Sequence, residues 1–321
     1  MSAVKRKEAR TNPSWTTRFW AIVKYELLWN IRKKKFLGMV LVAFVFATLG
    51  LALPVILSNI IGQPLSQNPD YAVSSSPGAL AFFLFALVTV MNSISGEFES
   101  GTIVPLLTKP VSRTMVFLGK LFAAFITLLS AYAVLFVYTA IGGTIVFGPQ
   151  NNLHLVPLSL LGSIISTFVW VAIVLAIGSL SKSSLIAALG AFGIFIALFI
   201  SAPIVSLFSE QAWILTYVPG NGASGILGSI SQGQGVVIAK SVSTGTDSIA
   251  PNLINYVLNP SSEVTFFKIG GFQPGQPPPM IQLYVEPLSL VLLRSITVAA
   301  TYIIAFLFIS CYAFKRAQVL E

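Results

Sequence analysis

Residues 94–120 read ISGEFESGTIVPLLTKPVSRTMVFLGK, and Glu97, Glu99, Lys109, Arg113 and Lys120 all stand in that stretch. Only 9% of the 321 residues are charged and 55% are apolar, so charge is concentrated here against the trend of the chain. Soluble domains carry charge on about a quarter of their residues. Long apolar runs flank the stretch on both sides. Working outward from it, six such runs lie near residues 36–57, 79–95, 116–141, 155–180, 185–208 and 288–314. Mean hydropathy is +0.85. A hydrocarbon layer about 30 Å thick asks for roughly 20 apolar residues per spanning helix, and barrel strands would be short alternating segments instead. The expected fold is therefore all-α and integral to a membrane, with six transmembrane helices. The third run continues to Phe147, too long for an upright span, so tilt or a break at Gly142-Gly143 is expected.

Charge is distributed as topology requires rather than as nucleic-acid binding would. Ten Lys or Arg precede the first run; Lys109, Arg113 and Lys120 surround the second connection, and Lys182, Lys315 and Arg316 lie at the fourth connection and the end. The connections at 58–78 and 142–154 carry none, and residues 209–287 carry only Lys240 and Lys268. By the positive-inside rule, both termini are expected in the cytoplasm of a multi-pass plasma-membrane protein. The net charge of +9 then reflects orientation and contact with anionic lipid. The basic, aromatic first 35 residues do not read as a cleavable signal. Cys311 is the sole cysteine, so no intrachain disulfide forms.

Residues 1–12 read as a flexible basic N-terminus, and 13–35 as an amphipathic helix. Phe19, Ile22, Val23, Leu27 and Trp29 recur at near-helical spacing with Trp15 and Trp20 beside them, which suits the headgroup layer or the surface of a partner protein. Glu26 and Asn30 project into that apolar stripe, and a carboxylate there calls for a cation from another segment. Residues 209–287, rich in Gly, Pro, Ser, Asn and Gln, read as an external cap between the fifth and sixth spans. Its alternating stretches lie at 234–239 and 280–285. Gly220, Gly222, Gly225 and Gly228 serve either close approach of a re-entrant segment or ordinary turns.

Enzyme chemistry finds little to work with. One histidine, His154, and one cysteine cannot build a metal centre. The Gly119-Lys120 pair lacks the leading glycine and the following Ser/Thr of a phosphate-binding loop, so no nucleotide site is expected on this chain. Within the spans Arg294 is the exceptional charge, within reach of Glu286. No carboxylate sits centrally in a span, which disfavours a proton-driven carrier. Two polar stripes remain: Thr89, Asn92, Ser93 and Gly96 on the second span, and Ser159, Ser163, Ser166, Thr167 and Trp170 on the fourth. Both fit helix packing; the first is also a possible translocation path, through Thr89, Asn92 and Ser93.

The opening stretch reads as a turn at Gly101-Thr102, a short helix over 102–108 ended by Pro110, and a Ser112 cap on the third span. A solvated loop would explain the cations but neither the acids nor the apolar Ile103, Val104, Leu106 and Leu107. GEFESGTIVPLLTKPVSRTMVFLGK resembles the loop between the second and third spans of permease subunits of type 2 ABC exporters, and KYELLWNIRKKKFL resembles their amphipathic elbow. That resemblance implies an outward-moving permease without its own catalytic activity, paired with a second permease copy or paralogue. ATP and Mg would sit on a separate ATP-binding cassette subunit, and this chain would bind no cofactor and no nucleic acid. By motif position, Glu97, Glu99, Gly101, Thr102, Lys109, Pro110 and Arg113 would form or brace the contact with that ATPase, with Glu26 of the elbow packed beside them. A non-transporting scaffold of the same fold is the alternative, then a secondary carrier.

Overall fold

The computed structural model describes residues 14–32, 34–62, 64–65, 67–101, 111–227, 240–270 and 280–316. Six helical segments within it are long and apolar enough to cross a membrane: Leu37–Ile61, Ala79–Glu99, Arg113–Phe147, Leu153–Ser181, Ser184–Phe208 and Leu288–Arg316. The expected flexible N-terminus, residues 102–110 with Thr102, Lys109 and Pro110, Gly228, and the stretch 234–239 lie outside the described residues.

Helix α1 (Trp15–Arg32) buries Val23, Glu26 and Asn30 on one face and leaves Trp15, Trp20, Tyr25 and Trp29 exposed on the others. It packs against α6 (Arg113–Phe147), crossing where Gly119 stands: a Cβ there would come within 2.7 Å of Ile22 Cγ2. Helix α2 (Lys35–Ile61) follows and ends at Gly62, whose φ of 72° suits a left-handed C-cap. A short α3 (Tyr71–Ser74) leads into α4 (Ala79–Val90).

The second span is not one helix. Helix α4 stops at Val90, residues 91–94 turn, and α5 (Ser95–Glu99) resumes. Asn92 and Ser93 therefore sit in a turn rather than on the helical stripe read from the sequence. The third span differs in the opposite sense: α6 runs unbroken for 35 residues through Gly142-Gly143. At 1.5 Å per residue it is roughly 50 Å long, well beyond an apolar layer of about 30 Å. Its glycines admit neighbours instead of breaking it, Gly142 meeting Leu51 and Gly143 meeting Tyr71 and Gln150.

Helix α7 (Val156–Ser181) is the centre of the bundle, bordered by α4, α6, α8 (Ser184–Phe208) and α10 (Leu288–Arg316), and buried along most of its length. Small residues let its neighbours close in, while Phe83, Trp170 and Phe195 stack into an aromatic knot around its middle.

Between α8 and α10 the chain builds a small α/β layer. Strands β1 (Ser224–Leu227), β2 (Lys240–Ser243), β3 (Glu263–Ile269) and β4 (Met280–Pro287) form an antiparallel sheet in the order β2-β1-β3-β4. The alternation read at 280–285 lies within β4. Helix α9 (Ile249–Leu258), which the composition of this segment did not suggest, dives back against α7. The molecule thus has two ends. One carries α1, α5 and the C-terminus of α10 and is called here the basic end; the other carries the sheet.

Candidate functional site

At the basic end the opening stretch is pinned to the rest of the molecule by charge. Gly119 brings α1 against α6, and the next residue, Lys120, is then 5% exposed beneath Glu26. Lys120 Nζ donates to Glu26 Oε1 at 2.5 Å and to Glu97 Oε1 at 2.7 Å. One buried lysine therefore joins the amphipathic helix, the short α5 and the third span. The cation that Glu26 called for is Lys120, a residue whose place in the sequence suggested only topology. Glu97 Oε2 is buried without a hydrogen-bond partner, so Lys120 engages one of the two oxygens of that carboxylate.

Glu99 turns the other way. Its carboxylate accepts from the Ser183 hydroxyl at 3.0 Å, from the Ser184 amide at 2.8 Å and from the Ser184 hydroxyl. An acid at the first amides of a helix is well placed against the positive end of the helix dipole, so Glu99 clamps the start of α8. Gly101 follows with φ of 68°, a left-handed turn that favours glycine. Beyond residues 102–110, the Ser112 hydroxyl accepts from the Met115 amide at 3.1 Å and caps α6 as expected. Arg113 donates from its guanidinium to the Lys315 carbonyl at 2.8 Å, which ties the start of α6 to the end of α10. The two stems of residues 102–110 are thus fastened to three other helices: Glu97 and Lys120 to α1, Glu99 to α8 and Arg113 to α10, with α5 joined to α6 through Lys120.

Of the path residues, Thr89 is buried and its hydroxyl donates to the Phe85 carbonyl at 2.6 Å, as a packed helical threonine does. Asn92 Oδ1 is buried and without a partner. Ser93 lies half-buried in the turn.

The fourth-span stripe faces the sheet-end segment. Ser166 donates to the Thr246 carbonyl at 2.7 Å, Thr167 meets Tyr132 at 2.5 Å, and Trp170 Nε1 donates to Asp247 Oδ1 at 3.3 Å. Asp247 is thus a carboxyl at mid-bundle depth that no span contains. Burial pushes it from 3.8 to about 7, against the lowering effect of the neighbouring Trp170 and Thr246. Sequence reading missed it because it lies in a loop-like segment. The signal was the run TDSIAPNLINYVL, where Asp-Ser and a nearby Pro precede helical spacing of Ile249, Leu253, Ile254 and Val257. Arg294 and Glu286 pair at 3.1 Å, as their spacing suggested.

On α10 a shallow groove of about 440 Å³ is lined by Tyr217, Val298, Tyr302 and Phe306. Its hydroxyls on Thr297 and Thr301 donate to carbonyls of their own helix, so the surface it offers is largely apolar.

A family model described as an ABC-2 family transporter protein matches residues 20–319. No curated protein matches the chain significantly.

Proposed function

The chain belongs to the ABC-2 transporter family, and from that premise we propose that it moves substrate outward, driven by a separate ATP-binding subunit docked at its basic end. As a membrane permease of an ABC transporter it has six spans to move and needs a partner to supply energy. The observation that carries the reading is the clamping of both stems of residues 102–110. A push on that loop reaches α1 through Glu26–Lys120–Glu97, α8 through Glu99 and α10 through Arg113. Force transmission needs a stiff element, and a solvated loop needs none of these bonds.

In this reading the basic end is cytoplasmic, both termini lie there, and the membrane is the plasma membrane. Thr102, Lys109 and Pro110 belong to the ATPase contact, and Glu97, Glu99, Gly101 and Arg113 brace it. ATP and Mg reside on the partner subunit. A second copy of this chain or a paralogue supplies the other half of the path, with Asn92 and Ser93 nearer to it than the packed Thr89. The apolar groove on α10 favours lipidic or amphiphilic cargo over simple ions.

A cysteine at Ser100 in a Cys311-free chain should cross-link to an ATP-binding subunit in native membranes. Vesicles holding both proteins should then show ATP-dependent movement of a fluorescent amphiphile such as a labelled phospholipid. Cross-linking and stimulated ATP hydrolysis without any ATP-dependent movement would favour the scaffold alternative, and absence of the cross-link would remove the coupling assignment.

A further inference from the structure

Residues 244–248 form a plug driven between α7 and α10 from the sheet end. Ser295 donates to the Thr244 carbonyl at 2.6 Å, and Ser166 donates to the Thr246 carbonyl at 2.7 Å. On its other side the plug lies backbone to backbone against residues 220–222. A Cβ at Gly245 would fall 1.9 Å from the Gly220 carbonyl oxygen, and one at Gly222 would fall 2.2 Å from the Gly245 amide. The Gly220 amide donates to the Thr246 hydroxyl at 2.9 Å. Trp170, the indole that meets Asp247, is fourteen residues along α7, roughly 20 Å from the start of that helix at 1.5 Å per residue.

Asp247 is the plug's one ionisable residue, and its surroundings offer no charge to balance it. Oδ1 accepts from Trp170, while Oδ2 is buried without a partner. Helices α4 and α8 wall the indole with Phe83 and Phe195 and carry no titratable residue. Helix α6 presents Tyr132, engaged with Thr167. Helix α9 presents Asn252, which donates to the Ser243 carbonyl, together with Asn255 and Tyr256. Helix α10 presents Ser295 and Arg294, the latter paired with Glu286, and the turn over 212–217 presents Tyr217. His154 lies at the far N-terminal approach to α7. No ion pair to Asp247 exists among the described residues. A metal ion would want several oxygen ligands where a single free carboxylate oxygen is on offer.

We propose that Asp247 is a proton-binding site that locks the plug, which stays docked under Trp170 while the carboxyl is neutral and loosens when the proton leaves. Burial raises this acid from 3.8 to about 7 in the docked state, and an acid raised by docking binds its proton more tightly there. Docking is therefore strongest below pH about 4, weakens as pH climbs towards about 7, and levels off above that. Proton occupancy of one residue then sets how readily the sheet end of the bundle opens.

The test uses the full chain in lipid nanodiscs, where both faces are accessible, in a Cys311→Ser background. A cysteine replaces half-buried Ser248 in the plug, and a parallel chain carries one at exposed Ser261 as the reference. The ratio of their maleimide labelling rates cancels the thiol's own ionisation. That ratio should rise about tenfold or more between about pH 5 and about pH 8 with Asp247 present, and change less than about twofold in Asp247→Asn. Asn keeps an acceptor for the indole but cannot take a charge. A flat ratio with Asp247 present, or an equal rise in Asp247→Asn, overturns the lock. Should Asp247→Asn fail to fold, hydrogen exchange over 244–258 in the unmutated chain, normalised to α7, decides the matter: a pH-independent ratio overturns it.

Discussion

Lys120 holds two carboxylates at 5% exposure, and the balance of that cluster is the most exacting arrangement in the chain. Removing one member of a buried ion pair leaves an uncompensated charge, at a cost of about 3–5 kcal/mol, whereas replacing the whole set by apolar groups of similar size is often neutral. Lys120→Met should therefore lower the thermal unfolding midpoint of the detergent-purified chain sharply. Adding Glu26→Gln and Glu97→Gln to it should recover much of the loss. If the triple variant is less stable than Lys120→Met alone, the cluster is not held by charge compensation. At this scale the sequence was half legible. Glu26 announced itself because a carboxylate in an apolar helical stripe needs a partner, but Lys120 looked like any basic residue beside a span. Only the crossing of α1 over Gly119 turns it inward. Asp247 was illegible for the converse reason, since nothing in a Gly- and Ser-rich segment says how deep it will sit.

Elements were more legible than their contacts. Long apolar runs announce spanning helices whatever packs against them, and Ser112 announces a helix start through its side chain. The break at 91–94 was hidden because Thr89, Asn92, Ser93 and Gly96 fall at spacings that also suit one polar side of a continuous helix. Helix α9 was hidden because ten residues of periodicity sit inside a segment dominated by turn formers. Its docking rests on small residues: a Cβ at Gly162 would lie 2.6 Å from the Ala250 Cα and 2.9 Å from the Ala250 amide nitrogen, backbone atoms that cannot rotate away. Gly162→Val should push α9 off α7 at a cost of about 1–3 kcal/mol, read as faster proteolysis or hydrogen exchange across 244–258. Gly193, where an added methyl would meet nothing within 4 Å, is the matched control on α8. Gly193→Ala should leave exchange unchanged and stabilise by roughly 0.5–1 kcal/mol through helix propensity. Equal effects from the two substitutions would mean that close approach at Gly162 does not hold the segment in place.

For the whole molecule, the decisive property is that its two ends are built from different materials. The basic end is a set of charge clamps, with Glu99 on α8, Arg113 on α10 and Lys120 under α1, while at the sheet end the ion pairs Arg294–Glu286 and Lys268–Glu210 lie outside the plug, which is itself held by hydroxyl-to-carbonyl bonds and glycine contacts. Lys and Arg crowd the first end and are nearly absent from the loops of the second, an asymmetry that fixes orientation when a chain is inserted. The clamps also explain why the loop between the second and third spans carries acids: Glu97 and Glu99 are committed to neighbours within the chain, so they stiffen the stems rather than coat a free loop. Orientation and stiffness make one joint prediction. In intact cells, on a Cys311-free background, a cysteine at exposed Ser261 should react with an impermeant maleimide from outside. One at exposed Ser100 should react only after the membrane is permeabilised. Labelling of Ser100→Cys from outside would invert the orientation and place the end proposed to bind the ATPase on the wrong side of the membrane. With the orientation established, Glu99→Gln should reduce ATPase stimulation several-fold while leaving the cross-link from residue 100 intact, because it frees α8 from the stem without touching the contact itself. Loss of the cross-link together with the stimulation would instead put Glu99 in the contact.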